Sequence, residues 1–301
     1  MRKVEVSKEL QLSAVVQGFW RLDSWKLQTE ELVDFMKACI DRGVTSFDTA
    51  EIYADTYCET LMGQAFARDK GLRGQIQLVS KTGIFKENIG GIPFGYYNTT
   101  YERVKQSCKE SLQRLHTDYL DLYLIHWPKP SPDCENWKKL DIETWKALEK
   151  LYHEKRVRAI GVSNFLPHHI ENLLESCEVV PAVDQLEFHP GYTQEAAVRY
   201  CQEHDILVQA WSPLGRRRVM DDELIRALAE RHHVTQAQIC LRYAFQKGII
   251  PIPKASSEER MKNNQDIFGF ELTKTEMQKL DTMPPVGWSG EHPDRERVSI
   301  E

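Results

Sequence analysis

Short apolar segments with the patterning of β-strands alternate with longer segments of helical periodicity along most of this chain. The alternation predicts eight strands, at residues 14–18, 44–48, 76–80, 120–125, 159–162, 182–186, 207–210 and 249–252. Because strands that alternate with helices form a parallel sheet, the predicted fold class is α/β. Eight strand–helix units in 301 residues favour a single (β/α)8 barrel, the TIM-barrel architecture, over an open doubly wound sheet.

Helical periodicity fills the segments between these strands. The predicted helices cover residues 29–41, 57–68, 101–115, 142–155, 167–175, 194–204, 222–231, 236–246 and 258–266. We expect residues 3–12 to form a β-hairpin that closes the floor of the barrel, and residues 283–301 to form a C-terminal loop. No linker or low-complexity tract divides the chain, so we expect one domain over residues 1–301.

A Rossmann fold is the alternative architecture that could bind a dinucleotide. Its glycine fingerprint, G-x-G-x-x-G after the first strand, does not occur in the sequence. The P-loop pattern does not occur either. The sequence therefore favours the barrel over a Rossmann dehydrogenase.

The charge balance and the cysteines narrow the classes of partner. The chain has 45 acidic and 39 basic residues, and its net charge of −6 argues against a nucleic-acid surface. The seven cysteines are scattered without a C-x-x-C pair, so we expect no disulfide framework, no metal site and a reducing cytoplasm. We see no signal peptide and no apolar run of the ~20 residues that span a bilayer. We expect a cytoplasmic monomer that acts on a small molecule.

Polar side chains follow nearly every predicted strand, and in a (β/α)8 barrel these strand ends surround the active site. The candidates at the ends of the second, third and fourth strands are Asp48, Tyr53, Lys81 and His126. Taken singly, they could be a turn cap, a packing tyrosine, a surface lysine and a hydrogen-bonded core histidine. Because all four should point into one mouth, we interpret them as catalytic.

These residue types suit the reduction of a carbonyl group, which needs a proton on oxygen as hydride reaches carbon. A free tyrosine has a pKa of about 10 and is a poor proton donor near neutrality. A nearby ammonium such as that of Lys81 stabilises tyrosinate and lowers the pKa of Tyr53. Asp48 can hold Lys81 by a buried ion pair, and His126 can bond the substrate oxygen or relay the proton.

Five motifs make the chain resemble the aldo-keto reductases, in particular the branch with 2,5-diketo-D-gluconate reductase and aldose reductase. They are D-T-A-E-I-Y at 48–53, S-K at 80–81, L-I-H-W-P at 124–128, G-V-S-N-F at 161–165, and I-P-K at 252–254 followed by Arg260 and Asn264. The motifs occur in order over nearly the whole chain. The resemblance implies NADPH-dependent reduction of an aldehyde or ketone by the tetrad Asp48, Tyr53, Lys81 and His126, with Tyr53 as the acid.

The resemblance also implies where the nicotinamide half of the cofactor binds. The residues implied to hydrogen-bond the carboxamide are Ser163, Asn164 and Gln185. Trp211 falls where the family places an aromatic ring that stacks on the nicotinamide, and tryptophan offers a large π-face for this. The segment that follows, with Ser212 and Leu214, resembles the loop that lies over the pyrophosphate.

The residues after the eighth strand resemble the segment that binds the 2′-phosphate of NADPH. The residues implied are Lys254, Ser256, Ser257, Arg260 and Asn264. Ala255 stands where the family often has a serine, so a neighbouring serine would have to supply the hydroxyl. Charge-assisted bonds from the two cations would discriminate against NADH. The alternative is a solvated basic surface, because two glutamates lie close by.

Aromatic residues just past strand ends are the candidates for the substrate pocket. Trp20 follows the first strand and Trp127 the fourth, while residues 90–97 and Trp288 could also cover the substrate. The tail is short, so we expect an open pocket. The run of arginines at 216–218 has two interpretations, a phosphate contact or a solvated loop, and the sequence does not decide between them.

A binding subunit that holds the cofactor without significant turnover is the competing function. Such a subunit should carry an additional N-terminal segment or an insertion that docks its partner, and the sequence has neither. A structural protein derived from a reductase is less compatible with an intact tetrad. The sequence therefore favours an enzyme whose substrate is a small carbonyl compound.

Overall fold

The computed structural model describes residues 2–85, 96–97, 100–129 and 133–295, with residues 85, 96 and 97 described by their backbone alone. Its strands are β1 (Lys3–Ser7), β2 (Leu10–Ser13), β3 (Gln17–Gly18), β4 (Ser46–Asp48), β5 (Gln77–Thr82), β6 (Ile84–Phe85), β7 (Tyr96–Tyr97), β8 (Leu120–Ile125), β9 (Val157–Ser163), β10 (Val183–Glu187), β11 (Leu207–Trp211) and β12 (Ile250–Pro251). Its α-helices are α1 (Thr29–Asp41), α2 (Tyr57–Arg68), α3 (Tyr101–Arg114), α4 (Trp137–His153), α5 (Pro167–Leu174), α6 (Glu195–Glu203), α7 (Glu223–His232), α8 (Gln236–Gln246), α9 (Glu258–Gln265) and α10 (Lys274–Asp281).

Eight strands form one parallel sheet that closes on itself. Their order is β3, β4, β5, β8, β9, β10, β11, β12, so each strand pairs with its neighbours in the chain order of the repeat. A parallel bridge between Gly18 and Lys254 joins the first strand to the last, and the Gly18 amide donates to the Pro253 carbonyl at 3.0 Å. A Cβ atom at Gly18 would lie 3.3 Å from the Ile252 side chain, so a glycine suits this closure. The predicted (β/α)8 barrel is confirmed.

Two apolar layers hold the barrel. Leu122 and Val183 point into the barrel interior, whereas Tyr123 and Leu186 belong to the layer between the sheet and the helices. This alternation follows from the two-residue period of a strand. The β1–β2 hairpin contributes Leu12 to the interior cluster, so the hairpin closes the floor as predicted.

The helices agree closely with the predictions, with two exceptions. Helix α4 begins at Trp137, five residues earlier than predicted, and α10 was not predicted. A capping box starts α10, in which the Glu276 amide donates to Thr273 Oγ1 and the Thr273 amide donates back to the Glu276 carboxylate. That T-x-x-E signal was visible in the sequence and was missed. Residues 282–295 contain no helix or strand, as predicted for the tail.

The described part of the chain has no helix with the length and apolar character needed to cross a bilayer. The seven cysteines carry free thiols, and five of them are buried. Burial raises the pKa of the Cys108 thiol to about 12. These thiols therefore act as small apolar side chains in the helix layer.

Candidate active site

Lys81 lies at the centre of the site and contacts two of the other predicted catalytic residues. Its Nζ atom donates to Asp48 Oδ1 at 2.7 Å, to the Thr49 carbonyl at 2.9 Å and to Tyr53 Oη at 3.1 Å. The Lys81 side chain is fully buried and that of Asp48 nearly so. Because an isolated buried ammonium is strongly unfavourable, the Asp48 carboxylate is what allows a charged lysine at this position.

The electrostatics of Tyr53 combine two opposing effects. Burial raises the pKa of the Tyr53 phenol, and the Lys81 ammonium offsets only part of that rise. Burial alone would lower the pKa of Lys81, but Asp48 and Tyr53 outweigh it and leave that pKa raised. Lys81 therefore favours tyrosinate, as the sequence argument expected, while the net pKa of Tyr53 lies above its usual value. The pKa stays raised because removal of the phenol from water has a larger effect than the nearby ammonium.

His126 lies beside Tyr53 at the end of β8. The two rings have centroids 5.9 Å apart and are inclined at 75°. The His126 amide donates to the Thr82 carbonyl at 2.9 Å, and its carbonyl accepts from Asn164 Nδ2 at 3.0 Å. Backbone bonds to β5 and to the end of β9 thus fix the position of His126 relative to Tyr53.

The residues predicted to hold the nicotinamide carboxamide form one network with the catalytic residues. Gln185 Nε2 donates to Asp48 Oδ2 at 3.0 Å and to Gln209 Oε1 at 3.1 Å. Ser163 Oγ donates to the Gln185 carbonyl at 2.7 Å and accepts from Asn164 Nδ2 at 3.1 Å. Within the described residues, the Gln185 amide oxygen accepts no hydrogen bond, so an acceptor is available for the amide of a ligand.

Trp211 and the segment after it have a distinctive backbone. Trp211 Nε1 donates to Asn164 Oδ1 at 2.9 Å, which fixes the indole beside the carboxamide residues. Ser212, Gly215, Arg216 and Arg217 all have positive φ angles, between 47° and 73°. Non-glycine residues in this region cost about 1–3 kcal/mol each and are found mainly at functional sites. The predicted pyrophosphate loop is therefore a strained segment at the C-terminal face of the barrel.

Three cations surround the ring of Trp20, which is 36% exposed. Their distances to the ring centroid are 4.4 Å for Arg21, 5.4 Å for Lys254 and 5.8 Å for Arg216. Burial lowers the pKa of Lys254, and the charges of Arg21 and Arg260 lower it further. An anionic ligand bound among these cations would relieve the electrostatic repulsion between them.

The remaining phosphate candidates lie on or next to α9. Ser257 caps the helix, and its Oγ atom accepts from the Arg260 amide at 3.4 Å. Ser256 and Arg260 are exposed, whereas Asn264 is buried. The amino end of a helix favours negative charge. The serine hydroxyls at the start of α9 and the cations Lys254 and Arg260 are therefore all suited to a negatively charged ligand.

The two predicted pocket tryptophans differ in exposure. Trp20 is open to solvent at the mouth, whereas Trp127 is only 5% exposed. Trp288 is 40% exposed and stacks on Tyr192, with ring centroids 6.1 Å apart. Residues 90–95, which were expected to cover the substrate, lie outside the described part of the chain. Of the two predicted pocket tryptophans, Trp20 is therefore the one whose ring is open to a substrate.

Two residues of the site were missed from the sequence. Gln209 completes the polar network below Asp48, and Arg21 joins the cations around Trp20. Arg21 directly follows a predicted pocket residue, so a search for bases after the first strand would have found it. Gln209 gives no such signal, because nothing in the sequence distinguishes a glutamine inside a strand as a site residue. Only its hydrogen bond with Gln185 in the folded protein does so.

Comparison with known proteins agrees with the geometry. The sequence model of the aldo/keto reductase family matches residues 14–284. The chain is 39% identical to glyoxal reductase of Bacillus subtilis over 264 residues, which cover 88% of this chain and 87% of the relative. The crystal structure of Gox0644 in its apo form matches with a TM-score of 0.81 and 31% identity over 99% of both chains. A Bombyx mori aldo-keto reductase in complex with NADP matches with a TM-score of 0.79 and 28% identity, covering 99% of this chain and 95% of that one.

Proposed function

The chain belongs to the aldo/keto reductase family, and we propose that it reduces an aldehyde or ketone to an alcohol with NADPH as the hydride donor and Tyr53 as the general acid. The family makes the protein an oxidoreductase that uses NAD(P)H and acts on carbonyl compounds. The choice of NADPH, the identity of the acid and the roles of the site residues are what the proposal adds.

The contact between Lys81 Nζ and Tyr53 Oη, at 3.1 Å, carries the proposal. A bound reduced nicotinamide would supply hydride to the carbonyl carbon. Tyr53 donates its phenolic proton to the carbonyl oxygen, and the adjacent ammonium stabilises the tyrosinate that remains. Burial keeps the phenol protonated beforehand because it raises the pKa of Tyr53. The acid is therefore present in its proton-donating form at neutral pH.

Asp48 and His126 assist Tyr53 in different ways. Asp48 accepts from both Lys81 and Gln185, so it links the lysine that tunes Tyr53 to the side chain proposed to hold the carboxamide. The His126 ring lies edge-on to that of Tyr53, with ring centroids 5.9 Å apart. A carbonyl oxygen bonded to Tyr53 would thus meet His126 as a second donor.

The charges of Lys254 and Arg260 support NADPH as the cofactor. Lys254 and Arg260 repel each other in the free protein, and a 2′-phosphate would be bound by both. NADH has an uncharged hydroxyl at that position, so it would leave the repulsion unrelieved. Ser163, Asn164 and Gln185 would hold the carboxamide, with Trp211 against the ring and Ser212 and Leu214 over the pyrophosphate.

We propose a small α-oxoaldehyde as the first substrate to try, because a relative at 39% identity is a glyoxal reductase. Glyoxal carries a reactive aldehyde and a second carbonyl that can accept a hydrogen bond. The exposed face of Trp20 provides an apolar wall beside it. A screen of NADPH oxidation with glyoxal, methylglyoxal, aromatic aldehydes and ketones tests the substrate class.

Replacing Tyr53 by phenylalanine tests the acid. We expect Tyr53→Phe to reduce kcat for glyoxal by about 10²–10⁴-fold, the usual contribution of general acid catalysis, while the Kd of NADPH changes little. Steady-state NADPH oxidation and fluorescence titration measure the two quantities. Normal turnover in Tyr53→Phe would remove Tyr53 from the acid role, and wild-type inactivity on every carbonyl would favour a cofactor-binding subunit.

A further inference from the structure

A glutamate and a histidine at the end of β10 form a buried pair next to the strained loop that follows β11. The side chains of Glu187 and His189 are 2% and 0% exposed. The backbone of His189 is fixed by two hydrogen bonds with that of Tyr192, at 3.1 and 2.9 Å. Glu187 lies opposite Trp211 in the parallel register of β10 and β11. The buried pair therefore has a rigid support beside the strand that leads into the loop.

The hydrogen bonds of His189 determine where its ring carries a proton. Its Nδ1 atom lies 2.9 Å from the Pro190 carbonyl oxygen. Because a carbonyl oxygen can only accept, Nδ1 carries a proton and donates it. The other ring nitrogen, Nε2, lies 3.6 Å from Glu187 Oε1 and makes no hydrogen bond within the part of the chain that the structure describes. In neutral His189, the lone pair of Nε2 would therefore point towards a carboxylate.

The contacts of Glu187 show that this carboxylate needs a positive partner. Its two oxygens accept from the Ser289 amide and hydroxyl at 3.0 and 2.7 Å, as an ionised carboxylate does. Among the described residues, no lysine or arginine nitrogen lies within 4.0 Å of these oxygens. An isolated buried carboxylate is strongly unfavourable. One proton on His189 Nε2 removes both difficulties, because it turns the facing acceptor into a charged donor.

The His189 ring also fills the space between two glycines of different segments. Gly215 lies in the loop after β11 and Gly287 in the tail, with φ angles of 51° and 82°. A Cβ atom would lie 3.3 Å from His189 Cε1 at Gly215 and 2.8 Å from the same atom at Gly287. Both glycines therefore pack against one edge of the ring, so a rotation of the ring displaces the loop, the tail or both.

The other charged or titratable groups around the buried pair do not account for a change of charge near neutral pH. Burial and the charge of Glu187 raise the pKa of Tyr192 to about 12, against an opposing effect of Arg295, so its phenol stays neutral. On the loop and the tail, Arg216 Nη2 pairs with Glu291 Oε1 at 3.3 Å. Histidine is the side chain that ordinarily exchanges a proton near neutral pH. The exchangeable proton of this group of residues is therefore the one within the buried pair.

We propose that Glu187 and His189 are positioning residues for the nucleotide, because the proton they share holds the loop after β11 in the conformation that binds the pyrophosphate. The proposal rests on the proposed function, which assigns Ser212 and Leu214 to the pyrophosphate. When the proton is lost to solvent, two acceptors face each other in a buried site, the ring turns away and Gly215 moves with it. Nucleotide binding is therefore tighter when the buried pair is protonated than when it is not.

The pH dependence of nucleotide affinity tests the shared proton. We expect the Kd of NADPH and the Kd of NADH each to rise about tenfold between pH 6.5 and pH 9.5, the effect of losing one charge-assisted hydrogen bond. Tryptophan fluorescence titration of the whole chain at several pH values measures both constants. NADH is needed because Lys254 has a lowered pKa, and its loss of charge would weaken binding of the nucleotide with a 2′-phosphate.

Two substitutions replace the shared proton by an amide that does not titrate. In Glu187→Gln the amide donates to neutral His189, and its oxygen accepts from Ser289. In His189→Gln the amide donates to ionised Glu187. The Kd of NADH should become independent of pH in both variants, and circular dichroism at each pH verifies that they are folded. If one variant does not fold, the other decides.

His204→Gln is the matched control. This histidine is exposed at the end of α6, where its Nδ1 atom lies 2.8 Å from the Tyr200 carbonyl oxygen. The same substitution at His204 should leave the pH dependence of the wild type unchanged, because His204 contacts neither the loop nor the tail.

Three results would overturn the shared proton. They are a wild-type Kd of NADH that is constant over the pH range, a wild-type pH dependence that persists in the folded glutamine variants, and a rise in Kd that is confined to NADPH. The last of these would assign the effect to Lys254. A wild type that binds neither nucleotide at any pH would overturn the proposed function itself, so the two failures are distinguishable.

Discussion

Lys254 connects the barrel closure to the proposed preference for NADPH. Its backbone forms the bridge to Gly18 that joins β12 to β3, and its ammonium lies 5.4 Å from the Trp20 ring centroid. The charges of Arg21 and Arg260 lower its pKa after burial, so the free protein holds three cations that repel one another. A phosphate placed among them would form charge-assisted hydrogen bonds and would also relieve the repulsion between the cations. The two effects together favour binding more than either does alone.

We therefore expect Lys254→Met to raise the Kd of NADPH by about 10–100-fold, the loss of one charge-assisted hydrogen bond, and the Kd of NADH by less than about threefold. Tryptophan fluorescence titration with each nucleotide measures both constants. Lys262→Met is the matched control, because that partly exposed lysine pairs with Glu258 on the same helix, and it should leave both constants unchanged. Equal weakening of NADPH and NADH in Lys254→Met would rule out the phosphate clamp.

The proximity of Asp48, Tyr53, Lys81 and His126 could be predicted from the sequence, because all four lie at or just after strand ends and strand ends can be found from periodicity. What could not be predicted is the balance of effects on each group. The net pKa of Tyr53 depends on how deeply the phenol is desolvated, and Trp127 was expected in the pocket although only 5% of it is exposed. Burial of a particular atom depends on packing from distant segments, which no local pattern encodes.

Helices α2 and α3 are joined by a buried charge cluster. Arg114 Nε lies 2.8 Å from Glu59 Oε2, and its Nη2 atom lies 3.4 Å from Glu51 Oε1. Burial raises the pKa of Glu51 to about 7 even with two arginines nearby. An acid whose pKa is higher in the folded than in the unfolded protein binds its proton more tightly when folded. The stability that this proton adds is complete below the unfolded pKa and is lost as the pH rises through about 7.

We expect this cluster to make stability depend on pH. Between pH 5 and pH 8 the wild type should lose roughly 2–3 kcal/mol of unfolding free energy relative to Glu51→Gln, which has no proton to lose. Urea denaturation of both proteins at several pH values measures the difference. The curves should be parallel above pH 8, where Glu51 is ionised in both the folded and the unfolded state. Parallel curves over the whole range would mean that Glu51 keeps an ordinary pKa.

Elements with strong local signals were predictable, and those defined by distant contacts were not. Helices α1 and α2 begin and end where their periodicity predicts. The start of α4 was placed too late, because Trp137 packs against His169, whose position depends on the fold of α5. The two-residue strands β6 and β7 are too short to give an alternating pattern, so only their pairing reveals them.

At the scale of the whole molecule, the proposed cofactor site and the proposed substrate mouth both lie at the C-terminal ends of the same ring of strands. The residues proposed to bind the carboxamide lie at the ends of β9 and β10, those proposed to bind the phosphate follow β12, and those proposed as catalytic lie at the ends of β4, β5 and β8 or just after them. The tail then joins β10 to the loops after β8 and β9. A ligand that spans these strands therefore contacts almost the entire barrel, so its binding energy should stabilise all of it.

This arrangement leads us to expect that residues 1–301 unfold as one domain and that NADPH stabilises the whole of it. At a free concentration one hundred times its Kd, NADPH should add about 2.7 kcal/mol. With about 2.1 cal/mol/K of unfolding entropy per residue, that corresponds to a rise in Tm of roughly 4 °C. Thermal unfolding followed by circular dichroism and by tryptophan fluorescence should give one transition that shifts equally in both signals. In Lys254→Met the same NADPH concentration should give a smaller shift. A second transition insensitive to NADPH would show that part of the chain folds as a separate domain, because a ligand stabilises only the unit that unfolds with its site.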